Sequence, residues 1–329
     1  MYRFTALFLL FLSAQGTLAN PSISKATLNE NGIEILGTGF GSQNPMLLWD
    51  NVSDTFSSQG AKSGDVVRTS SSDVWRENTN QWGTPFTFSV SNDTRTGKSE
   101  PFYFGTGHKN FLGAPNHSKP DRIRNEIFVS WWYKPSKSPS SEGGSNKFIR
   151  IWDDPNGEGT RISWTQMHLT CGNSTTWGDW NGRTNEWNHH AIHVNLNNNN
   201  VRTWVNGNLI HDGDCNKSSA HQNVPLYVGL IGFDHGSSSY KTMTTAIDDI
   251  YIASSQARVE ISSDSKWSTK MVKEVLPISS WSNSKIVVLP IYGKIKLSNE
   301  MYLYVIDDQG RVNSQGIRVD CQQCPKLTP

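Results

Sequence analysis

Residues 161–169 read as a strand, and its period of two places Trp164, Gln166 and His168 on one side. In the earlier run 147–152 the same alternation gathers Phe148, Arg150 and Trp152. Indole rings offer flat apolar surfaces, while arginine, glutamine and histidine hydrogen-bond hydroxyls or carboxylates. If the two faces adjoin, Trp152, Trp164, Arg150, Gln166 and His168 make a surface suited to a polymer of sugar rings. In the competing reading both tryptophans pack between sheets and only the polar groups emerge at the rim. Retaining hydrolysis would instead need two carboxylates about 5 Å apart. Asp248 and Asp249 are neighbours on a strand-like run and should point to opposite faces, while Asp212 and Asp214 sit in the turn-like His211-Asp212-Gly213-Asp214-Cys215. Of His189, His190 and His193, at most two converge on a strand, so they read as a structural strand start rather than a metal site.

The elements that must position these residues are strands. Charged residues make up 18% of the chain, below the usual quarter, which disfavours long amphipathic helices. The runs 126–133, 147–152 and 190–196 are short, rich in aromatic and β-branched residues, and bounded by turn formers. Residues 201–205 and 208–210 flank Asn206-Gly207, a pair that tolerates the positive φ of a type I′ turn and so predicts a tight hairpin. The segment 136–145, rich in Ser and Gly, reads as a loop.

The chain opens with Met1-Tyr2-Arg3, an apolar run at 6–12, and Ala19 before Asn20. That run is too short to span a bilayer and has the form of a signal peptide over residues 1–19, which predicts a secreted or periplasmic protein without membrane insertion. Loss of Arg3 leaves 29 basic against 29 acidic residues, a balance that argues against nucleic acid as the partner. Cys171, Cys215, Cys321 and Cys324 allow three pairings in an oxidising compartment. Cys171 with Cys215 is the expected one, since each follows a strand-like run, and Cys321 with Cys324 would form a local terminal disulfide.

Asn185-Glu186-Trp187-Asn188-His189-His190, the Asn206-Gly207 hairpin and Ile247-Asp248-Asp249-Ile250-Tyr251-Ile252 together resemble the laminin G or concanavalin-like jelly roll, over residues 46–255. Pro21-Ser22-Ile23 followed by Gly37-Thr38-Gly39-Phe40-Gly41 resembles the start of an immunoglobulin-like IPT (TIG) domain, whose later strands match 280–288 and 301–310. The expected fold is therefore all-β: a large jelly-roll sandwich inserted into a smaller IPT-like sandwich made of residues 20–45 and 256–320, with 321–329 as a tail. The jelly-roll resemblance implies a structural calcium ion held by Asp50 and Asp248, the competing reading being that Asp50 simply caps a turn. Gln166-Met167-His168 also resembles the Gln-x-His element of jelly-roll alginate lyases, which would make Gln166 and Arg150 carboxylate neutralisers, His168 the base and Tyr240 the acid. The family's Arg-rich strand and its Tyr-Phe-Lys strand have no match here. Two functions compete as expectations, binding of a polysaccharide or cell-surface glycan and β-elimination on a uronic-acid polymer, with a purely structural surface or matrix component as a third.

Overall fold

A computed structural model describes residues 19–319 apart from 77–83, 108, 117–124, 140–146, 155–157, 235–239 and 291–300. The expected signal segment, Cys321 and Cys324 lie outside the described residues, apart from Ala19 at the segment's end. The fold is an all-β sandwich, built as the polar turns and short β-branched runs require. One eight-stranded sheet runs Asn208–Asp214, Asn200–Val205, Asn188–Asn195, Glu126–Pro135, Thr244–Ala253, Glu100–Thr106 and Thr87–Ser91, with Met46–Asp50 also paired to Thr244–Ala253. Facing it, a seven-stranded sheet runs Ser174–Trp177, His168–Cys171, Arg161–Thr165, Lys147–Trp152, Tyr227–Asp234, Lys109–Leu112 and Thr84–Pro85.

The strand Glu126–Pro135 explains why its sequence is almost continuously apolar. Ile127, Val129, Trp131 and Tyr133 face the core between the two sheets, whereas Phe128, one step out of phase, belongs to a second core on the other side. A strand covered on both faces loses the alternation of polar and apolar residues. The hairpin forms as its sequence dictates, with Asn206 at φ 51° and Gly207 at φ 74°.

The second core lies between two four-stranded sheets. Gly32–Thr38 pairs with Ser22–Asn29 on one side and with Lys285–Val288 on the other, in the register Ile35 opposite Ile286. Arg258–Ser262 pairs with Lys273–Leu276 and Tyr302–Ile306 in the other sheet. Ile33, Ile35, Val259, Ile261, Ile286 and Val305 fill the space between them. Gly39 and Gly41 take positive φ, which lets the turn bury Phe40, and Trp281 Nε1 donates to the carbonyls of Phe40 and Gly41 at 3.0 and 3.1 Å.

Cys171 and Cys215 form a disulfide, with Cα atoms 5.4 Å apart, between the ends of strands in opposite sheets of the large sandwich. No helix among the described residues is long and apolar enough to cross a membrane.

Candidate functional site

The pairing of the two central strands decides where the sequence's aromatic residues go. Ile149 lies opposite Trp164, and Arg150 opposite Ser163. Alternation then sends Trp164 inward with Ile149, and Arg150 outward with Ser163 and Trp152. Trp164 is 1% exposed and packs on Trp131, Phe148 and His190 with ring centroids 5.6, 5.6 and 5.1 Å away. Gln166 is fully buried as well. Trp152 is also covered, but on the opposite face, with Phe111, Leu230 and Tyr227. The expected joint platform of Trp152, Trp164, Arg150, Gln166 and His168 therefore does not exist: two sheet faces divide it. Phe148 is drawn into the core because the register skips it between Ile149 and Lys147.

The outer face of the seven-stranded sheet carries a different set. Its rows read Thr175, Thr170, Ser163, Arg150 and Leu230 across neighbouring strands, and Arg161, Trp152 and Tyr227 beside them. At the edge, His168 pairs with Trp177, whose ring lies 5.0 Å from the imidazole and is 67% exposed. Burial, and then the nearby Lys147 ammonium, push the His168 ring below its ordinary value, so it is neutral at pH 7. Its Nδ1 lies 3.1 Å from the Thr165 hydroxyl. Trp177 is the exposed aromatic group that the sequence reading missed. The signal was present: the turn at Cys171-Gly172-Asn173-Ser174 folds this short strand back so that Trp177 meets His168.

The lyase set is not assembled. Tyr240 is fully buried, and its hydroxyl donates to the Pro139 carbonyl at 2.9 Å. With Gln166 sealed in the core and Arg150 on the outer face, the proposed acid and one neutraliser have no solvent contact. Asp212 and Asp214 lie on the strand Asn208–Asp214, not in a turn as their sequence suggested. Asp212 is held by Arg202 at 3.1 Å and Asn200 at 2.8 Å on an exposed sheet edge.

The calcium reading fails a test of donor chemistry. Asp50 Oδ1 accepts from the Val52 amide and the Thr55 hydroxyl at 3.0 and 2.8 Å. Oδ2 accepts from Trp75 Nε1 and the Tyr103 hydroxyl at 2.7 and 2.6 Å. Four donors point their protons at this carboxylate, which is the environment of an isolated anion and not of a cation ligand.

Asp248 has turned to Arg95 instead. A register shift after Asp248, with Asp249 at φ 45°, brings both adjacent carboxylates onto the Arg95 guanidinium, contrary to simple strand alternation. Glu274 adds a third carboxylate at 2.6 Å, and Trp132 lies under the guanidinium at 4.6 Å. Burial pushes Asp248 up to about 8 against the opposing pull of Arg95. The folded chain thus keeps this proton while the unfolded chain releases it near pH 4, so stability should fall as pH rises from about 4 to 8. The slope is at most about 1.4 kcal/mol per pH unit. Asp248→Asn should remove that slope, and urea midpoints between pH 5 and 9 should favour the variant increasingly as pH rises. Parallel curves for the two proteins would refute the assignment.

The histidines behave as a structural strand start. His190 accepts from Trp180 Nε1 at 2.9 Å inside the core, His193 contacts Glu126 at 2.9 Å, and His189 lies against Trp132 at 5.2 Å.

No known family model matches the sequence, and no curated protein does. Among solved structures, the chain is similar to domain 4 of AbnA, a GH43 extracellular arabinanase from Geobacillus stearothermophilus in complex with arabinotriose. Identity is 16% over 58% of this chain and 80% of that one, with a TM-score of 0.34. It is also similar to the cellulose induced protein Cip1, at 16% identity over 55% and 91% of the two chains and a TM-score of 0.35. A third is the binding domain of botulinum neurotoxin serotype D, at 12% identity over 75% and 72% and a TM-score of 0.34. At this distance nothing about ligand or activity carries over.

Proposed function

We propose that the chain is an exported, non-catalytic binding protein for a polysaccharide or cell-surface glycan, and that the outer face of the seven-stranded sheet is its contact surface. The observation that carries this reading is Trp177, a largely exposed indole braced by His168 on a sheet face that also presents Thr175, Thr170 and Arg161. An exposed ring on a rigid strand stacks on the apolar face of a sugar at little entropic cost, and the hydroxyl row and arginines suit sugar hydroxyls or carboxylates. Export is supported by the amino-terminal pattern and by the Cys171–Cys215 disulfide. The pairing of residues 32–38 with 285–288 supports an IPT-like unit interrupted by a laminin G-like jelly roll. β-Elimination has no comparable support, since its acid and one neutraliser are buried.

The test is incubation of the exported chain with a panel of neutral and uronic-acid polysaccharides, following both retention and the absorbance of new unsaturated ends. The reading predicts retention on at least one polymer with no absorbance change. Accumulating unsaturated ends, or retention on none, would overturn it.

A further inference from the structure

On the opposite side of the large sandwich, the eight-stranded sheet meets the smaller sandwich around a cavity of about 190 Å³. Phe128, His189, His193 and Trp204 line it from the large sheet, and Arg258, Glu260, Trp267 and Lys273 from the smaller unit. The hairpin tip closes one side: Gly207 lies so close to the Thr269 carbonyl that a Cβ there would collide with it.

Its polar groups are arranged around one buried carboxylate. Glu260 is 1% exposed and accepts from Arg258 Nε at 2.7 Å and Trp267 Nε1 at 3.0 Å, with Lys273 Nζ at 3.3 Å. Arg258 also donates Nη1 to the Gln256 carbonyl at 2.7 Å and stacks over Phe128 at 4.7 Å, while Lys273 lies 5.2 Å from the Trp267 ring. Two cations therefore face one anion on the cavity wall; Glu126 stands behind His193 and is bonded to it. Arg258 Nη2 and the His189 ring line the same space with no further hydrogen-bond partner among the described residues, whereas the Gln256 peptide N–H donates to Glu126 at 3.3 Å. Such a wall has a surplus of donors and of positive charge, with indoles of Trp204 and Trp267 beside them. Pockets for drug-sized ligands usually measure roughly 300–1,000 Å³, so this one admits a single ring.

We propose that this cavity between the two sandwiches binds one carboxylate-bearing monosaccharide, its carboxylate on Arg258 and Lys273 and its ring against Trp204. The guanidinium donates Nε to Glu260 and Nη1 to Gln256 and still has Nη2 for the ligand carboxylate, three directions at once that a simple ammonium cannot fill from one fixed plane. Burial pulls the Lys273 ammonium below its ordinary value, and Glu260 at 3.3 Å opposes that pull, while the neutral His189 adds one donor without adding charge.

Calorimetric titration of the whole chain with sodium D-glucuronate tests this, with D-glucose and sodium acetate as probes of the ring alone and the carboxylate alone. One glucuronate should bind per chain, at least tenfold more tightly than glucose or acetate. Trp204→Ala should weaken it tenfold or more. Arg258→Lys, which keeps a cation beside Glu260 and guards against a Trp204→Ala variant that fails to fold, should do the same. Equal binding of glucose, no binding of glucuronate, or binding indifferent to both substitutions would overturn the proposal.

Discussion

Trp164→Ala should cost the fold about 3–5 kcal/mol and leave glycan retention by the folded fraction unchanged. The side chain is sealed between the sheets, in ring contact with Trp131, Phe148 and His190 and 6.4 Å from His211. Truncation removes a large apolar volume from a close-packed site whose neighbours are themselves wedged and can collapse only in part. It also leaves the buried His190, whose Nε2 is already bound by Trp180, facing a void. Urea unfolding with retention measured at low denaturant separates the two effects. A stable variant that lost retention would return Trp164 to the binding surface.

Arg95→Met should destabilise the chain by a similar amount, about 3–5 kcal/mol at neutral pH, because it strands buried carboxylates. Arg95 is 4% exposed and contacts Asp248 and Asp249 of the large sandwich and Glu274 of the smaller one. The proton on Asp248 lowers the local charge, yet Asp249 and Glu274 still depend on the guanidinium. The substitution should therefore loosen the junction of the two sandwiches as well as the strand Thr244–Ala253. A double-mutant cycle with Glu274→Gln should give a coupling of about 1–3 kcal/mol. Additive effects, or a loss below about 1 kcal/mol for Arg95→Met alone, would show that the cluster contributes little.

The fold class was legible in the chain because its signals are local. Turn chemistry at Asn206-Gly207 and the β-branched runs state their own conformation, and the Cys171–Cys215 pair follows from two strand ends in one sandwich. Which face each aromatic residue takes was not legible, because it depends on pairing between strands. One skipped residue at Phe148 and the offset between Arg150 and Trp164 divided a platform that period-two counting had joined. The irregularity at Asp249 did the reverse, uniting carboxylates that alternation would separate. Trp177 was overlooked because its strand, Ser174–Trp177, is a short edge strand whose exposure appears only once its partner and its place at the sheet edge are known.

The outer-face account is tested most directly by Trp177→Ala. Because the indole is 67% exposed and contacts mainly His168, its removal should leave the melting temperature within experimental error of the wild type. A sugar face that covers about 50–100 Å² of the indole is worth roughly 1–2.5 kcal/mol at ~25 cal/mol per Å², so retention should weaken several-fold at least. Affinity electrophoresis of both proteins through the polysaccharide that the wild type retains gives the answer in one measurement. Weaker retention with an unchanged melting temperature is the predicted result; retention equal to the wild type would contradict the account.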